Sequence, residues 1–137
     1  MLSDTAEYAL RATLYIAQHA TDGRLVRTDD VAEALRVPRN YLSKILHILG
    51  KEGVVVGVRG PQGGFRLAEE ADRIVLARVV EPFDDLKPRT CILGRARCSD
   101  RNPCPAHHRW AGIAATLRVF FSGTTLGDLL KEGGSLN

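Results

Sequence analysis

Apolar residues recur at helical spacing from the start of the chain, where Ala6, Leu10, Leu14 and Ala17 fall on one face of a helix predicted over residues 4–20. Asp22 and Gly23 end it. A second, short helix is predicted from Thr28, whose hydroxyl is placed to cap the next turn, with Asp29 and Asp30 near the positive end of the helix dipole. It closes after Leu35, before Val37 and Pro38. Pro38 suits the opening of a third helix, with Leu42, Ile45, Leu46 and Leu49 on one side and Arg39, Asn40, Ser43, Lys44 and His47 on the other. Gly50 and Gly53 bracket its end. The period then changes. Val54, Val55, Val56 and Val58 favour a strand, because β-branched side chains lose rotamer freedom in a helix and pack well on a pleated surface. Arg59-Gly60-Pro61-Gln62-Gly63-Gly64 has the composition of a tight reversal, and Phe65, Arg66 and Leu67 form the returning strand. A short helix is predicted from Ile74 to Val80, ending at Pro82. After Pro105 a long helix carries an apolar stripe of Trp110, Ile113, Ala114, Leu117, Phe120 and Phe121, and Thr125 is placed to cap a last short helix through Leu130.

Short helix, turn, amphipathic helix and β-hairpin with a basic tip describe a winged helix-turn-helix. The predicted fold class is therefore mainly α with a small β-hairpin, completed by a long C-terminal helix whose aromatic stripe suits dimerisation. The chain divides into a winged helix-turn-helix over residues 1–82, a cysteine-containing loop over 83–104, and a dimerisation helix and tail over 105–137. Its 137 residues, 45% of them hydrophobic, allow one domain with such an appended element rather than two full domains. Asp4, Glu7 and Arg11 interrupt the apolar residues of the N-terminus, which excludes a signal peptide or a membrane span and predicts a cytoplasmic protein.

Nineteen Lys and Arg against sixteen Asp and Glu give a net charge of +3, which permits a polyanionic partner without demanding one. The distribution is more informative. Between residues 36 and 66, Arg36, Arg39, Lys44, Lys51, Arg59 and Arg66 face Glu52 alone, so the basic excess lies on the third helix and the hairpin. The second helix of a helix-turn-helix enters the major groove, whose width admits a helix and whose base edges are distinguishable. Arg39 and Asn40 in its first turn, then Ser43 and Lys44, are placed to reach DNA there, and Arg59 and Gln62 at the hairpin tip are placed to reach a minor groove or phosphate.

A second basic segment holds Lys87, Arg89, Arg95, Arg97, Arg101 and Arg109 against Asp100, and within it lie the chain's three cysteines, Cys91, Cys98 and Cys104. An odd number in a reducing compartment argues against a disulfide framework. The constellation Cys91-x6-Cys98-x5-Cys104-x2-His107 offers soft thiolates, and nearby arginines lower thiol pKa values and offset cluster charge. Structural zinc sites commonly use tighter cysteine knuckles, so the spacing leans toward an iron–sulfur cluster while leaving zinc or a thiol switch open. Catalysis is the weakest reading. Cys104 beside His107 or His108 lacks an identifiable orienting residue, and the glycines form neither a phosphate-binding loop nor a dinucleotide fingerprint.

These residues resemble a known family, the bacterial winged-helix regulators that include the iron–sulfur cluster regulator, the nitrite-sensitive repressor and the rhizobial iron regulator. The resemblance covers nearly the whole chain. It is carried by Val58-Arg59-Gly60-Pro61-Gln62-Gly63-Gly64-Phe65-Arg66-Leu67, which is similar to the family's wing signature, by Glu7-Tyr8-Ala9-Leu10, by Pro38 to Leu42, by the cysteines, and by Thr124-Thr125-Leu126-Gly127-Asp128-Leu129. It implies a homodimer that binds a palindromic operator in double-stranded DNA, with Arg59 as the wing arginine and Asn40 and Tyr41 opening the recognition helix. It also implies an iron–sulfur cluster, [2Fe-2S] rather than [4Fe-4S], held by Cys91, Cys98 and Cys104. The fourth ligand is then His107 or, from the other subunit, Glu7. The first gap, of six residues, departs from the five or fewer of the best-known members.

Overall fold

Ser3 opens the first helix, α1 (Asp4–His19): its hydroxyl accepts a hydrogen bond from the Ala6 backbone N–H, and Asp4 and Glu7 complement the helix dipole in the first turn. The computed structural model describes residues 2–86 and 91–137; Lys87 and Arg89 of the second basic segment lie outside the described residues. The buried face of α1 is Ala6, Ala9, Ala12, Thr13 and Ile16, whereas Leu10, Leu14 and Ala17 are half-buried. Small side chains let the α1 backbone lie close to its neighbours, so the core selects alanines over the larger leucines beside them. Thr13 satisfies its buried hydroxyl by donating to the Ala9 carbonyl at 2.6 Å.

Helix α2 (Thr28–Leu35) begins one residue earlier than a Thr28 cap requires: Arg27 holds the capping position and no side chain caps it. It ends at Arg36, whose left-handed backbone (φ 56°, ψ 44°) turns the chain, while the Val37 N–H closes the last turn on the Ala32 carbonyl at 3.0 Å. After Pro38, α3 (Arg39–Lys51) buries Leu42, Ile45, Leu46 and Leu49 as its periodicity predicts. The hairpin pairs β1 (Val55–Val58) with β2 (Gly64–Leu67) antiparallel, Val55 opposite Leu67 and Val58 opposite Gly64. Glycine is required in the reversal. Gly60 has φ +110°, and a Cβ on Gly63 would lie 2.1 Å from the Val58 carbonyl oxygen. Val26 and Phe65 exchange backbone hydrogen bonds of 2.9 and 2.7 Å, which tie the wing to the segment entering α2.

A 3-10 turn at Ala71–Arg73 leads to α4 (Leu76–Val80), and beyond the cysteine loop come α5 (His107–Gly123) and α6 (Leu126–Glu132). α4 starts at Leu76 rather than Ile74 because this backbone pairs elsewhere. Leu76 N–H donates to the Thr124 carbonyl and Leu126 N–H to the Ile74 carbonyl, both at 2.9 Å. Thr125 caps α6 as predicted, in a reciprocal box with Asp128, and the helix continues past Leu130 to Glu132. The main core joins α1, α2, α3 and α4 with Phe121 of α5 and Leu126 of α6. Within the protomer α5 buries His107, Ala114 and Phe121, and it leaves Ile113 (55%), Phe120 (47%) and Val119 (70%) exposed.

Residues 136 and 137 return to the first two helices. Arg11 donates from Nε to the Leu136 carbonyl at 2.9 Å, and from Nη2 to the Leu35 carbonyl at 3.1 Å and to Asn137 Oδ1 at 2.7 Å. Asn137 Nδ2 donates to the Ala34 carbonyl at 2.9 Å. Among the described residues no helix is long and apolar enough to cross a membrane.

Candidate functional site

The turn from α2 into α3 and the pairing of Val26 with β2 place the wing beside the third helix, and an open groove runs between them. Arg39, Ser43 and His47 line it from α3, and Arg59 lines it from the wing. Arg27, Thr28 and Lys51 also line it, none of which the helix periodicity singles out. Arg27 donates from Nη1 to the Pro61 carbonyl at 2.8 Å, holding the hairpin tip against the start of α2. A basic residue immediately before a helix start was the available signal, since that position combines positive charge with free backbone N–H groups. The groove floor is apolar, with Leu46, Val55 and Phe65.

The remaining candidate DNA contacts divide. Asn40 and Lys44 are exposed on α3, and Gln62 is exposed at the wing tip, all outside the groove lining. Arg39 is exposed and ion-paired with Asp29 of α2. Tyr41 is half-buried and engaged with α1: its hydroxyl hydrogen-bonds with Thr5 Oγ1, and its ring stands edge-on to Tyr8 with centroids 5.8 Å apart.

The second site lies in the loop before α5. The sulfurs of Cys91, Cys98 and Cys104 are buried within 4.8 Å of one another, and all three cysteines are free. Cys91 and Cys104 sulfurs are 3.6 Å apart. His107, the first residue of α5, is also buried, with Nδ1 3.2 Å from Cys98 Sγ. Its Nε2 is 2.8 Å from Asp100 Oδ1, a partner that the sequence did not reveal because an acidic residue among arginines reads as ordinary loop surface. Glu7 is exposed on α1 and does not join the converging ligand atoms of the protomer.

Electrostatics separate the thiols. The Arg95 backbone N–H, followed in effect by that of Leu93, stabilises the Cys91 thiolate against burial and lowers its pKa from 9.0 to about 7. Burial, reinforced by the neighbouring sulfurs, pushes the Cys98 thiol upward. The His107 hydrogen bond lowers the Asp100 carboxyl. A soft donor set, buried, unbridged by disulfides and supplied with N–H groups at one sulfur, fits a thiolate-bound metal or iron–sulfur cluster.

Comparison with known proteins finds relatives over nearly the whole chain. A protein of Aquifex aeolicus named as an HTH-type transcriptional regulator is 41% identical over 96% of this chain and 92% of its own length. The HTH-type transcriptional regulator IscR of Photobacterium profundum is 33% identical over 96% of this chain and 76% of its own. The solved structure of T. potens IscR superposes with a TM-score of 0.71 at 26% identity, covering 96% of this chain and 87% of that one. The family model Rrf2, described as iron-dependent transcriptional regulator, matches residues 2–132, and the chain belongs to this family of DNA-binding transcriptional regulators, not enzymes.

Proposed function

We propose that the protein is a cytoplasmic, homodimeric regulator whose affinity for a palindromic operator responds to redox state, nitric oxide or iron–sulfur supply through a cluster held by Cys91, Cys98 and Cys104. The observation that carries this reading is one chain combining a basic groove between α3 and the wing with a buried, disulfide-free trio of cysteine sulfurs. Residues 1–82 read DNA, 83–104 hold the cluster and 105–137 join the subunits. Arg39, Asn40, Ser43 and Lys44 approach the major groove while Arg59 and Gln62 reach a flanking groove or phosphate; Tyr41 props α3 against α1. His107 is the fourth ligand, because its Nδ1 already faces Cys98. Glu7 competes for that place only by crossing from the partner subunit. When bound, a [2Fe-2S] cluster supplies one-electron redox chemistry and a reaction centre for small oxidants. The protein supplies the thiolates, the N–H groups at Cys91 and a mechanical route: α4 packs on α1 and α5, and α1 packs on α3.

The sulfur spacing also accommodates one alternative. Zinc–sulfur bonds of about 2.3 Å in a tetrahedral site put sulfurs about 3.8 Å apart, close to the 3.6 Å between Cys91 and Cys104. A mononuclear zinc regulator is therefore the second reading. Metal analysis and the visible spectrum of anaerobically purified protein separate the two. Iron, sulfide and broad visible absorption are expected; stoichiometric zinc with no visible band overturns the cluster. Gel-shift titration against genomic fragments tests the rest. A fragment bound in preference to bulk DNA is expected, with affinity differing between loaded and metal-free protein. Equal affinity in the two states overturns the sensing role.

A further inference from the structure

Residues 99–102 form a tight turn closed by backbone alone and by Ser99. The Ser99 N–H donates to the Asn102 carbonyl at 3.4 Å, and the Asn102 N–H donates to the Ser99 carbonyl at 3.1 Å and approaches Ser99 Oγ at 3.3 Å. The Asp100 side chain takes no part in that closure and is 90% exposed, yet it meets His107, whose side chain is 10% exposed. A carboxylate only accepts hydrogen bonds, so the proton in the 2.8 Å contact belongs to Nε2 of the histidine. A neutral imidazole carries one N–H. Nδ1, 3.2 Å from Cys98 Sγ, is then left with a lone pair directed at the sulfur pocket.

We infer that Asp100 is a positioning residue of the cysteine–histidine centre: it holds His107 as the Nε2–H tautomer and so selects Nδ1 as the atom offered to a bound metal or cluster. The part concerning ligation rests on the reading of His107 as the fourth ligand; the tautomer does not. The arrangement has the chemistry of a carboxylate–histidine–metal relay, in which the outer carboxylate fixes ring orientation and makes the ligating nitrogen more basic. Local structure suits it to that work. The 99–102 turn presents Asp100 on one side of the imidazole, the start of α5 fixes the ring's Cα, and Cys98 stands on the other side. Because the turn closes without the carboxylate, its removal changes the histidine without dismantling the loop.

The test compares wild type, Asp100→Ala and Asp100→Glu. In the metal-free protein at about pH 8, above the ordinary histidine range, ¹⁵N NMR of the imidazoles reads the tautomer directly. Wild-type His107 is expected as Nε2–H, Asp100→Ala as a mixture, and Asp100→Glu as a return toward Nε2–H. Wild-type His107 in the Nδ1–H form, or an unchanged tautomer in Asp100→Ala, overturns the inference. The same proteins are then reconstituted anaerobically with ferrous iron and sulfide, with ¹⁵N-labelled histidine, and studied by pulsed electron paramagnetic resonance after reduction. Wild type should show a strong histidine nitrogen coupling. Asp100→Ala should alter it and lose iron to a chelator about ten- to a hundredfold more readily, with recovery in Asp100→Glu. No histidine coupling in wild type overturns the ligand reading and, with it, Asp100's role at the centre. A coupling and chelator resistance both unchanged in Asp100→Ala overturn the role of Asp100 alone.

Discussion

Two cysteines seven residues apart meet opposite environments. Cys91 receives backbone N–H groups from Arg95 and Leu93, which stabilise its thiolate to a pKa of about 7, whereas burial keeps Cys98 protonated beyond the ordinary thiol range. In metal-free protein between pH 7 and 8, iodoacetamide should therefore modify Cys91 before Cys98, as resolved by peptide mass spectrometry; equal rates contradict the assignment. At the other site, Arg59 is exposed on the wing and lines the groove. Arg59→Ala should weaken specific DNA binding by about 1–3 kcal/mol if the arginine reads a base, and should flatten the salt dependence if it neutralises a phosphate. The cysteines and the polar face of α3 were legible in the sequence because each combines an uncommon chemistry with a regular spacing. Asp100 was not, because its meaning depends on a turn that swings it back toward a histidine seven positions away. Tyr41 illustrates the reverse case: its place in the recognition helix was readable, but its bond to Thr5 depends on how α1 crosses α3.

Helices were legible in proportion to how far their hydrophobic period matched a single buried face. α3 met that condition and its four predicted core residues are buried. In α1 the predicted face included Ala6, which is buried, but its leucines drew attention away from Ala9 and Ala12, whose value lies in close backbone approach rather than in apolar area. The stripe of α5 has a different outcome, since Ala114 and Phe121 enter the protomer core while Ile113 and Phe120 face water, and Val119, outside the stripe, is exposed beside them. An exposed apolar row of that kind on a long helix suits a subunit interface. Val119→Asp together with Phe120→Asp should raise the dimer dissociation constant into the monomer range at micromolar protein, checked by analytical ultracentrifugation; an unchanged sedimentation coefficient contradicts the assignment. The capping box of α6 makes its own test. Thr125→Ala should cost about 1 kcal/mol in denaturant unfolding. Its partner Asp128 has a carboxyl lowered from 3.8, first by the Thr125 backbone N–H and then by the Thr125 side chain. A lowered folded pKa stabilises the fold above the unfolded value and loses that stabilisation as pH falls through the folded one. Thermal melts should thus show the wild type the more stable at neutral pH and converging with Asp128→Asn as the pH falls below the ordinary carboxyl range.

At the scale of the whole molecule, the DNA-facing groove and the cysteine loop are joined by packed helices, and Arg11 joins residues 136 and 137 to α1. Arg11→Ala removes its bonds to Leu136, Leu35 and Asn137 together. The expected loss is about 1–2 kcal/mol, accompanied by faster hydrogen exchange at the end of α2; Asn137→Ala, which spares the Leu35 bond, should cost less. No sequence pattern announces such a contact, since an arginine on an amphipathic helix and a polar residue after two glycines each read as solvated surface. Its consequence is one of timing. The two partners stand 125 residues apart. At synthesis rates of about 5–20 residues per second, a newborn chain spends roughly 6–25 s with Arg11 made and Leu136 not yet added. Until then the end of α2, and with it the turn into the recognition helix, has the Leu35 bond and its own Val37–Ala32 closure but none of the contacts from residues 136 and 137. The nascent protein therefore passes through a looser form of its DNA-reading half before residues 136 and 137 arrive to tighten it.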